Sequence, residues 1–443
     1  GGGLPWRGIS MQEQLQASFR QAQRQLQQGD AAAALASLAP LLRQLPDEPG
    51  ILRLAAMAHL ASGDLAAART HFERILQLLP DEAEAHKDLG VLLLDAGEAD
   101  AAAARFQRAL ELDAESHLAR LHLGRALQRL GRDNEAVLAY FGALHRAQSK
   151  GRWLNDETTP PFLRATVQEA MDFVDGGRRR VFEAALAPVA ERHGRAALVR
   201  VEQALAIYLG EEPATIPDPR QRPKFLYFPG LPSTPFFDRS LFPWVDEFES
   251  RTAQIRAELD ALMAQERAFE PFLGNTTPEQ VADKLAATRD APPAWDAFFF
   301  YRHGQRYEDN CRRCPLTAQV LDGLPLVRIR EHAPEICFSM LTPGSHILPH
   351  TGVTNTRIVC HLPLIVPEDC AIVVAGETHA WREGRAVMFD DTFEHEAWNR
   401  SAKTRVVLLM DLWNPHLTAA ERDAITTLVG AVGDFNRSAG VVG

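Results

Sequence analysis

The sequence has few cysteines, no long apolar run and no signal-peptide pattern. Its five cysteines all lie between 311 and 370 of 443 residues, and an odd, sparse set indicates a reducing compartment rather than a disulfide framework. Cys311 and Cys314 have no second ligand pair nearby, which argues against zinc. No apolar run approaches the roughly 18 residues of a membrane span. These absences predict a cytoplasmic protein with free thiols and no membrane span.

Basic charge is also scarce. The formal net charge of −11 argues against a nucleic-acid partner, which requires a concentrated basic face. The compact basic run at 178–180 is expected to be the solvated start of a helix. Hydrophobic residues make up 46% and charged residues 24% of the chain, as in ordinary globular proteins. The length predicts two or three domains.

Glycine recurs at a 34-residue step in the first third of the chain, at Gly29, Gly63, Gly97 and Gly131. Apolar residues follow a helical period on both sides of each glycine, which predicts helix–turn–helix units. Three other sets of residues keep the same step. Two sets are small and allow paired helices to approach closely: Ala22, Ala56, Gly90 and Gly124, and Ala34, Ala68, Ala102 and Ala136. The third set is large and fills the space between helices: Leu38, Phe72, Phe106 and Tyr140.

This 34-residue period resembles the tetratricopeptide repeat. The resemblance implies an α-solenoid over residues 10–148 whose groove binds a peptide or protein segment. An unrelated helical bundle is the alternative, and the four aligned columns disfavour it. The repeat alone does not identify a function, because many such arrays only hold domains together.

The rest of the chain changes character twice. Residues 149–222 predict a helical cap, with helices over 178–193 and 196–209, and a proline-rich linker. Residues 223–418 predict a long helix over 243–265 and then short strands, and residues 419–443 a terminal helix and tail. The candidate strands are 298–303, 336–341, 358–366, 371–374, 386–389 and 404–412.

Short strands separated by turns predict an antiparallel sandwich or barrel. A double-stranded β-helix, the jelly-roll or cupin-like form, is the natural candidate. The fold class is therefore multidomain α + β, with the helical solenoid first and the β domain second.

Two histidines in the β-rich part, His350 and His395, are candidate ligands for ferrous iron. The usual facial triad has a carboxylate two residues after the first histidine, where this chain has Gly352. Two interpretations stay open: a two-histidine iron site with water or an anion in the vacant position, or a site that has lost its metal. Arg405, ten residues after His395, suits the distal carboxylate of 2-oxoglutarate and favours the first interpretation.

Further candidates lie on the neighbouring segments. Because alternate residues of a strand share a face, Arg357 and His361 are both expected to point into the barrel. Both are candidate ligands of the co-substrate, and Ser339 is expected to add a hydroxyl. These motifs resemble the catalytic domain of the aspartyl/asparaginyl β-hydroxylases over about 224–418. The segments that carry the resemblance are Tyr227-Phe228-Pro229-Gly230-Leu231, residues 304–311, Pro349-His350-Thr351-Gly352 with Thr354, Asn355 and Arg357, residues 389–396 with Trp398, Arg405, and Asp411-Leu412-Trp413-Asn414-Pro415.

The resemblance implies a role for each matching position. His350 and His395 correspond to the iron ligands, Arg405 and Ser339 to the residues that hold the distal carboxylate of 2-oxoglutarate, and His361 to a residue beside that co-substrate. The implied cofactors are Fe(II), 2-oxoglutarate and O2. The chain departs from the family at position 359, where valine replaces an arginine of the animal members.

The predicted function is hydroxylation of the β-carbon of an Asp or Asn side chain in a peptide or protein, with help from the repeats. Three alternatives stay open. In the first, a halide binds the iron where the carboxylate is missing, and the reaction is halogenation. Val359 allows a lipid or small-molecule substrate in the second. The third is a repeat-based binding protein with an inactive oxygenase domain, although retention of His350, His395 and Arg405 argues against it.

Overall fold

The computed structural model describes residues 11–265 and 267–441. Its contacts divide the chain into two compact units. One unit comprises the chain up to Val181 together with the segment from Phe435, and the other runs from Phe182 to Asp434. Within the described residues, no helix combines the length and apolarity needed to cross a bilayer.

The first unit begins with helices that pack in consecutive antiparallel pairs. They are α1 (Met11–Gln27), α2 (Ala31–Gln44), α3 (Pro49–Ser62), α4 (Leu65–Leu78), α5 (Ala83–Asp95), α6 (Ala99–Leu112), α7 (His117–Arg129) and α8 (Asp133–Ser149). The prediction of helical repeats in this third of the chain is confirmed.

The repeated glycines form the turns inside these units. All four have positive φ angles, between 69° and 85°, a conformation that glycine adopts at little cost. In the first two turns the residue after the glycine caps the next helix with its side chain: Asp30 accepts a hydrogen bond from the backbone N–H of Ala33, and Asp64 accepts one from that of Ala67. The Gly-Asp pair therefore ends one helix and starts the next.

The small and large columns of the repeat meet in space. A Cβ atom at Gly90 would lie 2.7 Å from the ring of Phe106, and one at Gly124 would lie 2.5 Å from the ring of Tyr140. Both rings are buried. The expected close approach of paired helices is thus explained by glycines that make room for aromatic rings.

Two further helices follow, α9 (Arg164–His193) and α10 (Val199–Leu209). The prediction that a helix starts at Arg178 was wrong, because α9 begins fourteen residues earlier and the basic run lies within it. The expected single helix over 243–265 was also wrong: it is two helices that separate at Arg251.

The remaining elements carry the β-rich part. The helices are α11 (Val245–Ser250), α12 (Thr252–Met263), α13 (Pro278–Ala282), α14 (Glu308–Arg313), α15 (Pro315–Asp322) and α16 (Ala419–Ser438). The strands are β1 (Glu270–Pro271), β2 (Leu285–Ala287), β3 (Trp295–Arg302), β4 (Gln305–Arg306), β5 (Ile336–Leu341), β6 (Ser345–His350), β7 (Arg357–Ile365), β8 (Cys370–Val374), β9 (Glu377–Ala380), β10 (Val387–Phe389), β11 (His395–Asn399) and β12 (Arg405–Trp413).

These strands form two antiparallel sheets. The larger has the order β1-β3-β5-β12-β7-β10, with β4 paired to β3, and the smaller has the order β2-β6-β11-β8-β9. Apolar residues of both sheets share one core: Leu341, Val359 and Val407 from the larger sheet, and Ile347, Ile372 and Ala397 from the smaller. The other face of the larger sheet packs against α12 and α15. The predicted antiparallel β domain is therefore present.

Period-two alternation places the polar residues of the larger sheet. Along β7 the side chains of Arg357, Val359 and His361 line the space between the sheets, and along β12 those of Arg405 and Leu409 do the same. Their neighbours in sequence pack towards the helices. Charged groups thus reach the interior of an otherwise apolar sandwich.

Candidate functional site

His350 and His395 lie opposite each other in the smaller sheet. His350 ends β6 and His395 begins β11, and the two are direct register partners. Their ring centroids are 4.1 Å apart. Strand pairing therefore brings together two imidazoles that are 45 residues apart in the sequence.

Both imidazoles are fixed in the same tautomer. Nδ1 of His350 lies 2.8 Å from the backbone oxygen of Leu348, and Nδ1 of His395 lies 2.9 Å from that of Phe393. A carbonyl oxygen only accepts, so each Nδ1 carries the proton and each Nε2 keeps its lone pair. Burial, helped by His395, lowers the pKa of His350 to about 4, and burial lowers the pKa of His395. Both rings are therefore neutral at neutral pH, and each Nε2 is free to bind a metal ion.

A carboxylate occupies the space that a side chain at position 352 would need. A Cβ atom on Gly352 would lie 2.2 Å from Oδ2 of Asp391, and the backbone N–H of Gly352 donates to the backbone oxygen of Asp391. Oδ1 of Asp391 is buried without a hydrogen-bond partner among the described residues. The carboxylate beside the histidine pair thus comes from the segment before β11 and not from the His-x-Gly motif.

Arg357 lies between two buried carboxylates. Its guanidinium donates to Asp411 and lies 3.3 Å from Oδ2 of Asp391. The structure places Arg357 in the wall of the site, but both terminal nitrogens face these aspartates. Its predicted role as a direct co-substrate ligand therefore competes with two existing ion pairs.

Arg405 is a buried cation without an acidic partner in the described chain. It is 2% exposed; Nη1 donates to the backbone oxygen of Ser339 at 3.2 Å, and Nε has no partner among the described residues. The guanidinium lies 4.8 Å from the ring centroid of Trp381. Burial lowers the pKa of Arg405 to about 10. An unpaired buried cation is unfavourable, so this position favours binding of an anion.

Ser339 and His361 lie beside Arg405. The Ser339 hydroxyl accepts a hydrogen bond from Nε1 of Trp295 at 2.9 Å, which leaves its own proton available as a donor. His361 is buried, and its Nδ1 has no partner among the described residues. Burial, with Arg405 nearby, holds the pKa of His361 well below its usual value. Both side chains can therefore hydrogen-bond to an anion next to Arg405.

All six predicted site residues line one cavity of about 320 Å³. These residues are Ser339, His350, Arg357, His361, His395 and Arg405. The middle of its wall is apolar, with Ile347, Val359 and Ile372. No group of three or more His, Cys, Asp or Glu side chains in the part of the chain that the structure describes is arranged to hold a metal ion. The metal ligands available at this cavity are therefore the two histidines.

Comparison with known families agrees with this site. Residues 249–415 match the family model of aspartyl/asparaginyl beta-hydroxylase. The C-terminal part of the chain is therefore similar to the aspartyl/asparaginyl β-hydroxylases. Residues 25–91 and 87–151 match tetratricopeptide repeat families, so the repeat domain precedes the hydroxylase domain in the chain.

Relatives of the hydroxylase domain have more than one named activity. Aspartate beta-hydroxylase domain-containing protein 2 of Xenopus tropicalis is 33% identical over 225 residues, covering 50% of this chain and 57% of the relative. Human aspartyl/asparaginyl beta-hydroxylase is 37% identical over 135 residues, covering 30% of this chain and 18% of the relative. The ornithine lipid ester-linked acyl 2-hydroxylase of Rhizobium tropici is 35% identical over 193 residues, covering 43% of this chain and 64% of the relative. The chain thus spans less than two thirds of each.

Solved structures are similar to this chain only distantly. A crystal structure of MamA protein is 20% identical, covers 47% of this chain and 100% of its own, and gives a TM-score of 0.31.

Sequence reasoning missed several residues of the candidate site. Asp391 and Asp411 were part of the recognised motifs but had no predicted role, although an acidic residue in a β-rich motif near a candidate ligand is a usable signal. Trp295 and Trp381 gave no comparable signal, because their contacts with Ser339 and Arg405 depend on long-range strand pairing.

Proposed function

We propose that the chain is an Fe(II)- and 2-oxoglutarate-dependent dioxygenase that hydroxylates an unactivated carbon. The observation that carries the proposal is the combination of two neutral, tautomer-fixed histidines with an unpaired buried arginine in one cavity. The double-stranded β-helix form of the domain and a cytoplasmic location belong to the same proposal.

The residues fit ferrous iron. Nε2 of His350 and Nε2 of His395 would hold it, and two imidazoles leave positions open for a chelating co-substrate and for oxygen. The partnerless Oδ1 of Asp391 would accept a hydrogen bond from a water beside the metal. When bound, iron and 2-oxoglutarate supply with O2 an oxidant that replaces a C–H bond by C–OH.

The residues also fit 2-oxoglutarate. Arg405 would pair with its distal carboxylate, and the Ser339 hydroxyl would donate to the same group. Charge-assisted hydrogen bonds of this kind contribute about 1.5–3 kcal/mol each, enough to offset the burial of the guanidinium. His361 would lie beside the co-substrate. Arg357 would orient Asp391 through their ion pair and would not contact the co-substrate.

The first candidate substrate is an Asp or Asn side chain, hydroxylated at its β-carbon in a peptide or protein that the repeat groove presents. The family model and the relatives named for aspartate hydroxylation support it. A lipid acyl chain or other small molecule is the second candidate, because Val359 leaves the cavity wall apolar and one relative is named for acyl hydroxylation of a lipid.

An anaerobic titration tests the proposal. Metal-free protein is titrated with ferrous iron and 2-oxoglutarate while the visible metal-to-ligand charge-transfer band is recorded. The band is expected only when both are added, and it should be lost in His350→Ala and Arg405→Ala. A folded wild-type protein without the band would refute the oxygenase proposal and leave a repeat-based adaptor. Product mass in the presence of chloride separates hydroxylation from halogenation.

A further inference from the structure

One carboxylate of the cavity has no role in holding iron or 2-oxoglutarate. Glu335 directly precedes β5 and lines the same cavity as His350. It lies four residues before Ser339, about 13 Å along the strand. Its side chain is 22% exposed, so it stands towards the open side of the cavity.

Only one of the two carboxylate oxygens of Glu335 has a partner in the described structure. Its Oε1 accepts a hydrogen bond from the backbone N–H of His303 at 2.9 Å and lies 3.0 Å from Nδ1 of the same residue. Its Oε2 has no hydrogen-bond partner within the described ranges. Burial raises the pKa of the Glu335 carboxyl; His303 and Arg302 oppose this rise, and Asp411 adds to it. A cation at Oε2 would reverse the effect and stabilise the carboxylate.

The nearby cations are already paired. Arg302 donates to Glu270 at 3.2 Å and to the backbone oxygen of Phe272. Arg357 serves Asp391 and Asp411. Neither guanidinium donates a hydrogen bond to Glu335, although both interact with its charge through space.

The inner part of the cavity is electrically balanced once it is loaded as proposed above. Arg357 and Arg405 offset Asp391 and Asp411, and the two charges of ferrous iron offset those of 2-oxoglutarate. Glu396, the remaining acidic group of the wall, lies 2.6 Å from Nε2 of His346. Glu335 therefore keeps one carboxylate oxygen, Oε2, for which the described residues of the loaded site provide no hydrogen-bond donor.

We propose that the substrate carries a primary amine or guanidinium that binds Oε2 of Glu335, and that the group next to its reacting carbon is uncharged. A carboxylate there would face Asp391 across a wall where Val359 supplies no cation. Uncharged amide or aliphatic groups meet no such repulsion. The inference rests on the proposed function, and within it favours Asn or an aliphatic chain over Asp.

Probe binding tests this inference without turnover. Pentylamine, pentanol and pentanoate are titrated into the full chain, kept anaerobic with ferrous iron and 2-oxoglutarate, and binding is followed by the fluorescence of Trp295 and its neighbours. Pentylamine is expected to bind about tenfold more tightly than pentanol, and pentanoate more weakly than pentanol. Equal affinities, or tighter pentanoate, would overturn the proposal.

Two variants assign the preference to one carboxylate. Glu335→Gln keeps an oxygen for the His303 N–H, so the fold is retained, and it should lose the tenfold preference for the amine. Glu396→Gln removes another acid of the same cavity and should keep the preference. Loss of the preference in Glu396→Gln, or its survival in Glu335→Gln, contradicts the assignment.

Two longer probes identify the source of the cation. N-acetyl-lysine methylamide represents a peptide side chain, and dodecylamine represents an amine with a lipid-like tail. The probe that binds more tightly identifies the source of the cation. If neither probe binds, the proposal is overturned. Titration with 2-oxoglutarate alone separates the two claims. If the wild-type protein does not bind 2-oxoglutarate, the proposed function is wrong. If it binds 2-oxoglutarate but shows no preference for the amine probe, only this inference is wrong.

Discussion

Gly352 and Asp391 share a single volume: the carboxylate of Asp391 fills the space into which a side chain at position 352 would project. The two residues lie on different segments that strand pairing brings together. The acidic group next to the histidine pair is therefore set by tertiary structure.

Replacing Gly352 by alanine should disturb this arrangement. The new Cβ overlaps the Asp391 carboxylate, and overpacking of this kind costs about 1–3 kcal/mol. We expect a lower free energy of unfolding, measured by urea denaturation of the metal-free protein. The double variant Gly352→Ala/Asp391→Ala should recover much of the loss. Strictly additive effects of the two substitutions would contradict the overlap.

The two arginines of the cavity, Arg357 and Arg405, should respond oppositely to substitution by methionine. Arg357→Met leaves Asp391 and Asp411 without their cation and should destabilise the metal-free protein by about 3–5 kcal/mol. Arg405→Met removes a cation that has no acidic partner in the described structure, and should raise the free energy of unfolding by about 1–3 kcal/mol. Equilibrium denaturation of both variants checks this, and destabilisation by Arg405→Met would show that the charge is satisfied.

Asp390 should make the stability depend on pH. It is fully buried and accepts hydrogen bonds from Gln221 and Thr392. Burial raises its pKa to about 7, whereas an unfolded Asp has a pKa near 4. The folded state therefore binds a proton that the unfolded state has lost, and stability falls as pH rises from about 4 to about 7.

The size of this effect is on the order of 3–4 kcal/mol. Urea denaturation of wild type and Asp390→Asn between pH 4.5 and 8 measures it, and the variant should show a flatter profile over about pH 4–7. Parallel profiles would mean that Asp390 titrates normally.

The glycines between repeat helices give a prediction for the first unit. Gly124→Ala places a methyl group against the Tyr140 ring and should destabilise the repeats by about 1–3 kcal/mol. Gly131→Ala is a different case, since nothing lies near its Cβ position and its cost comes from the positive φ angle. Tyr140→Leu should relieve the first variant and leave the second unchanged, as measured by thermal unfolding.

The sequence predicted best where a pattern is local and repeated. The 34-residue step located the helix turns, and the alternation over 336–341 located β5 without error. The two strands that carry the histidine pair were missed: β6 contains Pro349, and β11 is short and polar, so neither has the apolar alternation of a strand. Both are defined by their pairing with each other.

The same reason limits prediction of the site. His350, His395 and Arg405 were found because each lies in a recognisable motif, and the structure brings them to one cavity. The partners that set their chemistry, such as Trp381 over Arg405 or Leu348 behind His350, depend on contacts that no local pattern encodes. Arg357 was predicted as a co-substrate ligand because it shares the inward face of its strand with His361, and that face is correct. Its ion pairs with Asp391 and Asp411 were not foreseen.

The shared volume of Gly352 and Asp391 also restricts how this site can change by mutation. A carboxylate at position 352 requires the loss of the one at 391, because both do not fit. If the carboxylate at 352 is gained first, it overlaps Asp391. If the carboxylate at 391 is lost first, an empty space is left beside the histidines. Conversion between the two arrangements therefore needs paired substitutions on separate segments, which makes the present arrangement hard to leave through single changes.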